Sequence, residues 1–450
     1  MRIKLDLPIT SKNIEELTGI RIGEKEEKIE FISTNSKDTD KSCLFIPLAK
    51  KQAERYAHID ESVKNGAKIL ADSSLKDNDP HNSVEAMLKL ASGYKAMLPN
   101  LRKTVAITGS VGKTTTKEIT KRIVSKRYRT HSTEGNQNNA IGLSYTILSA
   151  PRDTEILVTE IGMNHPGEIK ELSSCLHPSI AIITEIGSAH IGNLLTKDAI
   201  LSAKLEILSG LEDDGKILVG NQPELRSIPR ALTVSIVDPK SDFFLFPLQE
   251  KLNCSVFDFY SDRTVLTHKM IGASGQHILK GTAFALAIAS ELKLNEKQID
   301  SGLNDILPDN FRTKIIQIGK IKIYDDTYSS SPEALSNALK TVSSFYKKKS
   351  AMLGDMLELG NFSAELHFQA GKKAAELGFN KLYLFGKESL NIAHGAICGG
   401  MRDECIFINE NIDDPQITAN QILNSYDGEM ILFKASRKIK AERIFDCLKA

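Results

Sequence analysis

Eight residues at positions 108–115, Thr-Gly-Ser-Val-Gly-Lys-Thr-Thr, carry the sharpest chemical signal in the chain. They follow an apolar, β-branched run at 104–108 and precede a helix-like segment at 114–124. Glycines let a backbone turn tightly around phosphate oxygens. The start of a helix aims free N–H groups at an anion. Gly109, Ser110, Val111, Gly112, Lys113, Thr114 and Thr115 are therefore expected to hold nucleotide phosphates. Lys113 would reach the outer phosphates, and the Thr114 hydroxyl would ligate Mg²⁺. The spacing departs from G-x-x-x-x-G-K-[ST], because position 107 is Ile and the glycine comes at Gly109.

Downstream stand a carboxylate and an imidazole. Glu160 ends an apolar run at 155–159, and His190 follows another at 179–184. In a parallel sheet both would fall at strand C-termini, on the edge where the phosphate loop opens. There they either help to hold Mg²⁺ bridging ATP phosphates or serve as polar loop residues. Lys204 lies in a helical stretch, Ser-Ala-Lys-Leu-Glu-Ile, where a lone lysine is ordinarily solvated surface. Asn136, Asn138 and Asn139 lie in Gly-Asn-Gln-Asn-Asn-Ala-Ile-Gly. Their side chains suit turns and equally suit a polar ligand.

The elements that must position these groups read as three blocks. Residues 1–100 mix short β-type runs (28–32, 43–48, 68–70) with a helix at 84–97, ending at Leu98-Pro99-Asn100. Residues 101–308 alternate apolar strands with helices, closing on an Ala-rich helix at 281–294 and Pro308. Such alternation indicates a parallel sheet covered on both faces. Residues 309–450 repeat it, with strands at 321–324, 350–353, 381–385, 405–408 and 430–433. Their helices are expected at 332–346, 364–377, 390–396, 415–425 and 439–448, Pro332 suiting a first helical position. The expected fold class is α/β with three domains: a small mixed α/β domain, a central parallel-sheet domain with the phosphate loop, and a C-terminal Rossmann-like domain.

Composition narrows the function classes. The chain has 450 residues, with 58 Lys plus Arg against 57 Asp plus Glu, a net charge of +1. That balance argues against bulk attraction to nucleic acid or an anionic membrane. No apolar run reaches a membrane span, and no apolar segment follows Met1 as in a signal peptide. The six cysteines form no C-x-x-C pair, so reduced thiols in a cytoplasmic protein are expected.

Taken together these segments resemble the Mur ligases, the ATP-dependent amide-forming enzymes of peptidoglycan precursor synthesis. Residues 108–115 resemble the family's T-G-x-x-G-K-T-T, 135–142 its G-N-x-N-N-x-I-G, and 160–169 its E-x-G-x-N-x-x-G-E-I. Asp325-Asp326-Thr327-Tyr328, with Pro332, resembles D-D-S-Y-N-x-N-P; 353–360 is similar to L-G-D-M-x-E-L-G, and Lys434-Ala435-Ser436-Arg437 to K-G-S-R. Thr34-Asn35-Ser36-Lys37 and the following 44–48 resemble a UDP-binding pattern. Five positions depart from the family pattern: Ser329 and Ser331 stand for asparagines, Ile278 for the asparagine after His277, Asn35 for an aspartate and Ala435 for a glycine.

The resemblance implies that ATP phosphorylates the terminal carboxylate of UDP-MurNAc-tripeptide. The amine of D-alanyl-D-alanine then attacks the acyl phosphate. It also implies site residues: Lys113, His190 and Lys204 as catalytic groups, with Lys204 carbamylated. Arg312 and Asp326 would join the phosphate loop on ATP. Thr34, Asn35, Ser36, Asn138, Asn139, Asn164, Tyr328, Lys434 and Ser436 would contact substrates. Thr114, Glu160, His190 and the Lys204 carbamate would hold Mg²⁺. A monomeric bacterial cytoplasmic enzyme is expected, and either meso-diaminopimelate or lysine fits the third peptide position. A sibling ligase adding that third residue usually carries D-N-P-R, which this sequence lacks. Folylpolyglutamate synthase shares the expected fold. A switch or motor ATPase would need the G-x-x-x-x-G-K-[ST] spacing, and a pure binding module needs no metal-site geometry.

Overall fold

The computed structural model describes residues 1–24, 26–71, 80–189, 191–307 and 313–449. Contacts divide the chain into two compact units. One comprises 1–108, 124–183 and 204–218; the other comprises 109–123, 184–203 and 219–450. Pro308, the expected end of the central block, lies outside the described residues.

In the first unit, strands β1 (Arg2–Thr10), β2 (Lys28–Ser33), β3 (Cys43–Phe45) and β4 (Lys68–Ile69) form one sheet in that order. β1 runs antiparallel to β2, and β2, β3 and β4 run parallel. Alternation in β1 buries Ile3, Leu5 and Ile9 on one face. The helix Ser11–Thr18 starts at a capping box in which Thr10 and Asn13 satisfy each other's backbone N–H. The helix Pro80–Met97 packs on the helix Ala140–Leu148, and its Tyr94 hydroxyl accepts the Leu7 N–H at 3.1 Å. β1 is an element that sequence patterning did not single out.

The same unit holds β5 (Lys103–Thr108), β6 (Thr130–Ser132), β7 (Ile156–Glu160), β8 (Ile180–Ile183) and the first three residues of β9 (Lys216–Gly220), in the order β9-β8-β5-β7-β6. β5 pairs in parallel with both β7 and β8. Register sets Ile107 opposite Glu160 and Thr108 opposite Ile183, so the three strands end level. The chain order reverses around β5, and ligands of open α/β sheets bind at strand C-termini beside such a reversal.

In the second unit, β10 (Ala231–Ser235) pairs in parallel with β11 (Phe243–Lys251). β12 (Cys254–Ser261) and β13 (Val265–Ile271) continue as an antiparallel meander. Phe243, Leu245, Phe257 and Phe259 are buried on one side, under the largely buried helix Gln276–Glu291. The expected all-parallel reading of 101–308 missed this meander. Its outer face mixes Phe246, Leu248, Val265 and Met270 with charged residues, so the apolar and polar residues do not alternate cleanly.

The six remaining strands are β14 (Lys314–Ile318), β15 (Ile321–Asp326), β16 (Lys349–Gly354), β17 (Leu382–Phe385), β18 (Ile406–Asn409) and β19 (Met430–Lys434). They order as β14-β15-β19-β16-β17-β18, with β14 antiparallel and the rest parallel. Ile323, Met352, Tyr383, Phe385, Ile431 and Phe433 fill one face. The helices Ser363–Glu376 and Ser389–Cys398 meet backbone to backbone. A Cβ on Gly371 would fall 1.8 Å from the Ile392 carbonyl oxygen, and one on Gly395 would fall 1.8 Å from that of Phe368. All six cysteines are free thiols. Among the described residues no helix is long and apolar enough to cross a membrane.

Candidate active site

The phosphate loop lies in the second unit, between the end of β5 and the helix Lys113–Val124. Gly109 and Gly112 have φ of +144° and +89°, where a side chain is strained. A Cβ on Gly109 would also meet the Thr184 Oγ1 at 2.0 Å. The turn after β8 braces the loop. Thr184 Oγ1 donates to the Val111 carbonyl at 2.6 Å, and the Ser110 N–H donates to the Glu185 carbonyl at 2.7 Å. Ser110 Oγ donates to the Gly187 carbonyl at 3.4 Å. Lys113 Nζ donates to the Gly109 carbonyl at 2.6 Å, curled back over the loop. Glu185 pairs with Lys280 of the helix Gln276–Glu291 at 3.0 Å. That helix comes so close that a Cβ on Gly281 would stand 2.9 Å from Thr115 Cγ2.

Also in this unit, the end of β19 faces the end of β15. Lys434 is buried, and its Nζ pairs with the Asp326 carboxylate at 2.8 Å. It donates further to the carbonyls of Asp326 and Ser329. Three N–H donors meet three acceptors, so the turn after β15 is tied to β19. Ser436 Oγ accepts the Leu357 N–H at 3.0 Å and lies 3.5 Å from the Ser330 carbonyl. Arg437 stands over the Tyr328 ring at 5.9 Å. Ser331, one of the departures from the family pattern, caps the helix Pro332–Phe345 by accepting the Ala334 N–H. The Asp355 carboxylate accepts the N–H groups of Lys387 and Glu388, both at 3.0 Å. Its motif therefore builds structure. His277 keeps part of its surface, yet burial holds its imidazole below the ordinary histidine range. Lys434 and Lys280 push the same way, against Asp326.

The first unit holds the buried carboxylate. Glu160 ends β7 at 2% exposure. Its backbone N–H donates to Thr133 Oγ1 at 3.1 Å, and its Oε1 accepts the Asn138 side-chain N–H at 2.8 Å. The Gly162 N–H returns to the Asn138 carbonyl at 2.8 Å, so Asn138 is held from both ends. Asn139 instead caps the helix Ala140–Leu148, accepting the Gly142 N–H at 2.9 Å. Asn164 is exposed, in a turn closed by the Glu168 carboxylate at 2.6 Å. Lys204 is fully buried in the last turn of the helix Lys197–Leu205. Two residues on, the Glu206 carboxylate accepts the N–H groups of Gly167 and Lys170 at 2.7 and 3.1 Å. It thereby caps the helix Glu168–Leu176, whose Gly167 offers no side chain.

The expected UDP-binding turn is also in this unit. Thr34 Oγ1 meets the Tyr145 hydroxyl at 2.7 Å, and burial pushes the Tyr145 phenol above its ordinary value. Asn35 donates to Asp38 at 2.7 Å, and Ser36 Oγ donates to Glu61 at 2.6 Å. Sequence reasoning missed Tyr145, Thr133, Thr184 and Glu206. Helix start signals could have found Glu206 only if its distant partner were known, and the others carry no spacing signal. His190 and Arg312 lie outside the described residues. Among the described residues no group of three His, Cys, Asp or Glu side chains gathers as a metal cluster.

Residues 107–289 match the Mur ligase middle domain, and 311–437 match the Mur ligase, glutamate ligase domain. The UDP-N-acetylmuramoyl-tripeptide–D-alanyl-D-alanine ligase of Bacillus subtilis is 30% identical over 452 residues, 97% of either chain. The MurF ligase of Thermotoga maritima, solved in complex with ADP, superposes with a TM-score of 0.79 at 27% identity, over 93% of this chain and 96% of that one. MurF from Acinetobacter baumannii gives 0.88 at 24% identity, covering 100% of both, which shows the shared three-domain α/β fold.

Proposed function

The chain belongs to the Mur ligase family, and from that premise we propose that it joins D-alanyl-D-alanine to UDP-N-acetylmuramoyl-tripeptide at the expense of ATP. The product is the pentapeptide precursor of peptidoglycan, made in the bacterial cytoplasm by a monomer. The observation that carries this reading is the end-to-end match with a ligase of that specificity, 97% of each chain. Residues 1–100 serve the UDP-sugar peptide, 101–308 ATP, and 309–450 the acceptor dipeptide.

The chemical difficulty is bringing two anions, a carboxylate and a polyphosphate, together. The braced loop 109–115 offers backbone N–H groups at a helix start, and Lys113 adds the mobile positive charge. Mg²⁺ favours hard oxygen ligands, and the side-chain oxygens of Glu160 and Thr114 are each of that chemistry. Glu160 is a buried carboxylate fixed by Asn138, and Thr114 supplies a hydroxyl in the first helical turn. When bound, the ion would neutralise phosphate charge. In the family Lys204 matches the carbamylated lysine, and carbamylation would turn this buried side chain into an oxygen ligand for a second ion with His190. Arg312 and Asp326 serve ATP. Thr34, Asn35, Ser36, Asn138, Asn139, Asn164, Tyr328, Lys434 and Ser436 serve the substrates, several through the turns that they hold in place. Excluding water protects the acyl phosphate from hydrolysis.

The test is phosphate release from ATP with Mg²⁺, UDP-MurNAc-tripeptide and D-alanyl-D-alanine, leaving out one component at a time. Release that needs all of them, with the pentapeptide seen by mass, is the expected result. Release with UDP-MurNAc-dipeptide and a diamino acid would move the chain to the sibling ligase. Release indifferent to both substrates would overturn the ligase reading.

A further inference from the structure

Glu333 belongs to no motif that pointed to function, yet it reaches the turn that braces the phosphate loop. It stands in the first turn of the helix Pro332–Phe345, and its Oε1 accepts the Ser188 N–H at 2.6 Å. A Cβ on Gly187 would fall 2.6 Å from the Glu333 carboxyl carbon, so only a glycine leaves this approach open without a shift. The Gly187 carbonyl is the one that Ser110 of the phosphate loop contacts. Both contacts lie within the second unit.

The other carboxylate oxygen, Glu333 Oε2, is shielded from solvent and has no hydrogen-bond partner among the described residues. Ser330 Oγ, three residues earlier, is in the same condition. Around them the polar groups are used: Ser331 caps the helix, Lys434 takes the Ser329 carbonyl, and Ser436 leans on that of Ser330. A buried carboxylate oxygen left unpaired is expensive, more so than a neutral acceptor. The ligand that relieves it brings N–H donors, best of all positively charged ones. In a ligase that works through an acyl phosphate, the acceptor amine must come within about 3–3.5 Å of a carbonyl carbon lying beside the outer phosphate. Glu333 stands one peptide away from the loop that is to hold that phosphate.

We infer that Glu333 holds the ammonium group of the acceptor dipeptide through Oε2, with Ser330 as a second contact, and so orients the nucleophile. This rests on the ligase reading above. The primary test is Glu333→Gln, which keeps the size and the Ser188 contact but removes the charge. The KM for D-alanyl-D-alanine is expected to rise about tenfold or more, as loss of a charge-assisted hydrogen bond implies. The KM for ATP and the acceptor-free formation of acyl phosphate, trapped with hydroxylamine, should stay within about twofold. Ser330→Ala should raise the same acceptor KM by a smaller factor, and it stands as the independent variant should Glu333→Gln fold poorly. An unchanged acceptor KM in the variants that fold, or a rise in the ATP KM equal to that for the acceptor, overturns the assignment. If the wild-type protein itself shows no acceptor-dependent turnover, the ligase reading falls, and this inference with it.

Discussion

Asn138 offers a sharp test of how the candidate metal carboxylate is held. Its amide N–H lies 2.8 Å from Glu160 Oε1, and Glu160 is almost out of water. Asn138→Ala removes a hydrogen bond to a charged group, a loss of about 1.5–3 kcal/mol. Losing such a bond behind a metal ligand typically lowers metal affinity or activity about 10–100-fold. Asn138→Asp is nearly the same size but sets a second carboxylate against the first. At 2.8 Å and an effective dielectric of about 20, two full charges repel by about 6 kcal/mol. The pair would therefore share a proton. Turnover of Asn138→Asp should be lowest at alkaline pH and recover in part as pH falls into the range where one carboxyl keeps its proton. The assay is initial rate against Mg²⁺ concentration at several pH values, with thermal unfolding followed in parallel. If Asn138→Ala keeps the wild-type Mg²⁺ dependence, and the aspartate variant matches it at every pH, the amide does not position Glu160.

Further outcomes follow from the same structure. Lys204→Ala should lower turnover about 10²–10³-fold, as for loss of a charge aimed at the reacting centre, and added short carboxylic acids should restore part of it; near-wild-type turnover would sink the carbamate role. Glu206→Ala uncaps the helix Glu168–Leu176 and should cost about 0.5–2 kcal/mol, read as a lowered Tm, with Glu206→Gln recovering part. Burial pushes the Cys43 thiol up to about 11 and the Cys175 thiol up to about 12, while Cys398 is exposed. Iodoacetamide at pH 8 should therefore mark Cys398 and spare the other two. The stability tied to keeping those two thiols protonated should be complete below the unfolded thiol value of about 8.5. It should drain away as pH rises toward 11, and Cys43→Ser should soften that loss in an alkaline melting series.

Much of the frame was legible because strands buried on both faces write themselves as apolar runs. The strands β5, β7, β8, β16, β17 and β19 each lie within a residue or two of their expected bounds. Glu160 could be placed at a strand end for that reason. The meander β11–β13 was not legible, because one side of it faces solvent and its long strand carries Pro247, Gln249, Glu250 and Lys251. The asparagines show a different limit. Residue type left Asn138 and Asn139 open between turn and ligand, and only geometry separates a helix cap from a carboxylate holder. Tyr145 and Thr34 are 111 residues apart, so neither periodicity nor spacing connects them. Lys434 read as a substrate contact, and no sequence signal announces the bonds that its Nζ makes to Asp326 and two carbonyls. A charge on a motif says nothing about which of its bonds are already made.

The crossing of the helices Ser363–Glu376 and Ser389–Cys398 has a bearing on how such a chain can diverge. At Gly371 and Gly395 each helix spends its missing side chain on the other's carbonyl oxygen, 1.8 Å from where a Cβ would sit. A methyl at either position forces the axes apart, and nothing done at the other restores the fit. Each site is thus constrained by its own contact, and neither has a path through alanine. The strand beneath the helix Ser389–Cys398, β17, leads into Gly386, which meets Asp355 in the loop closed by the Asp355 carboxylate. Drift in that helix pair would reach this loop directly, whereas the exposed faces of both helices are free to change.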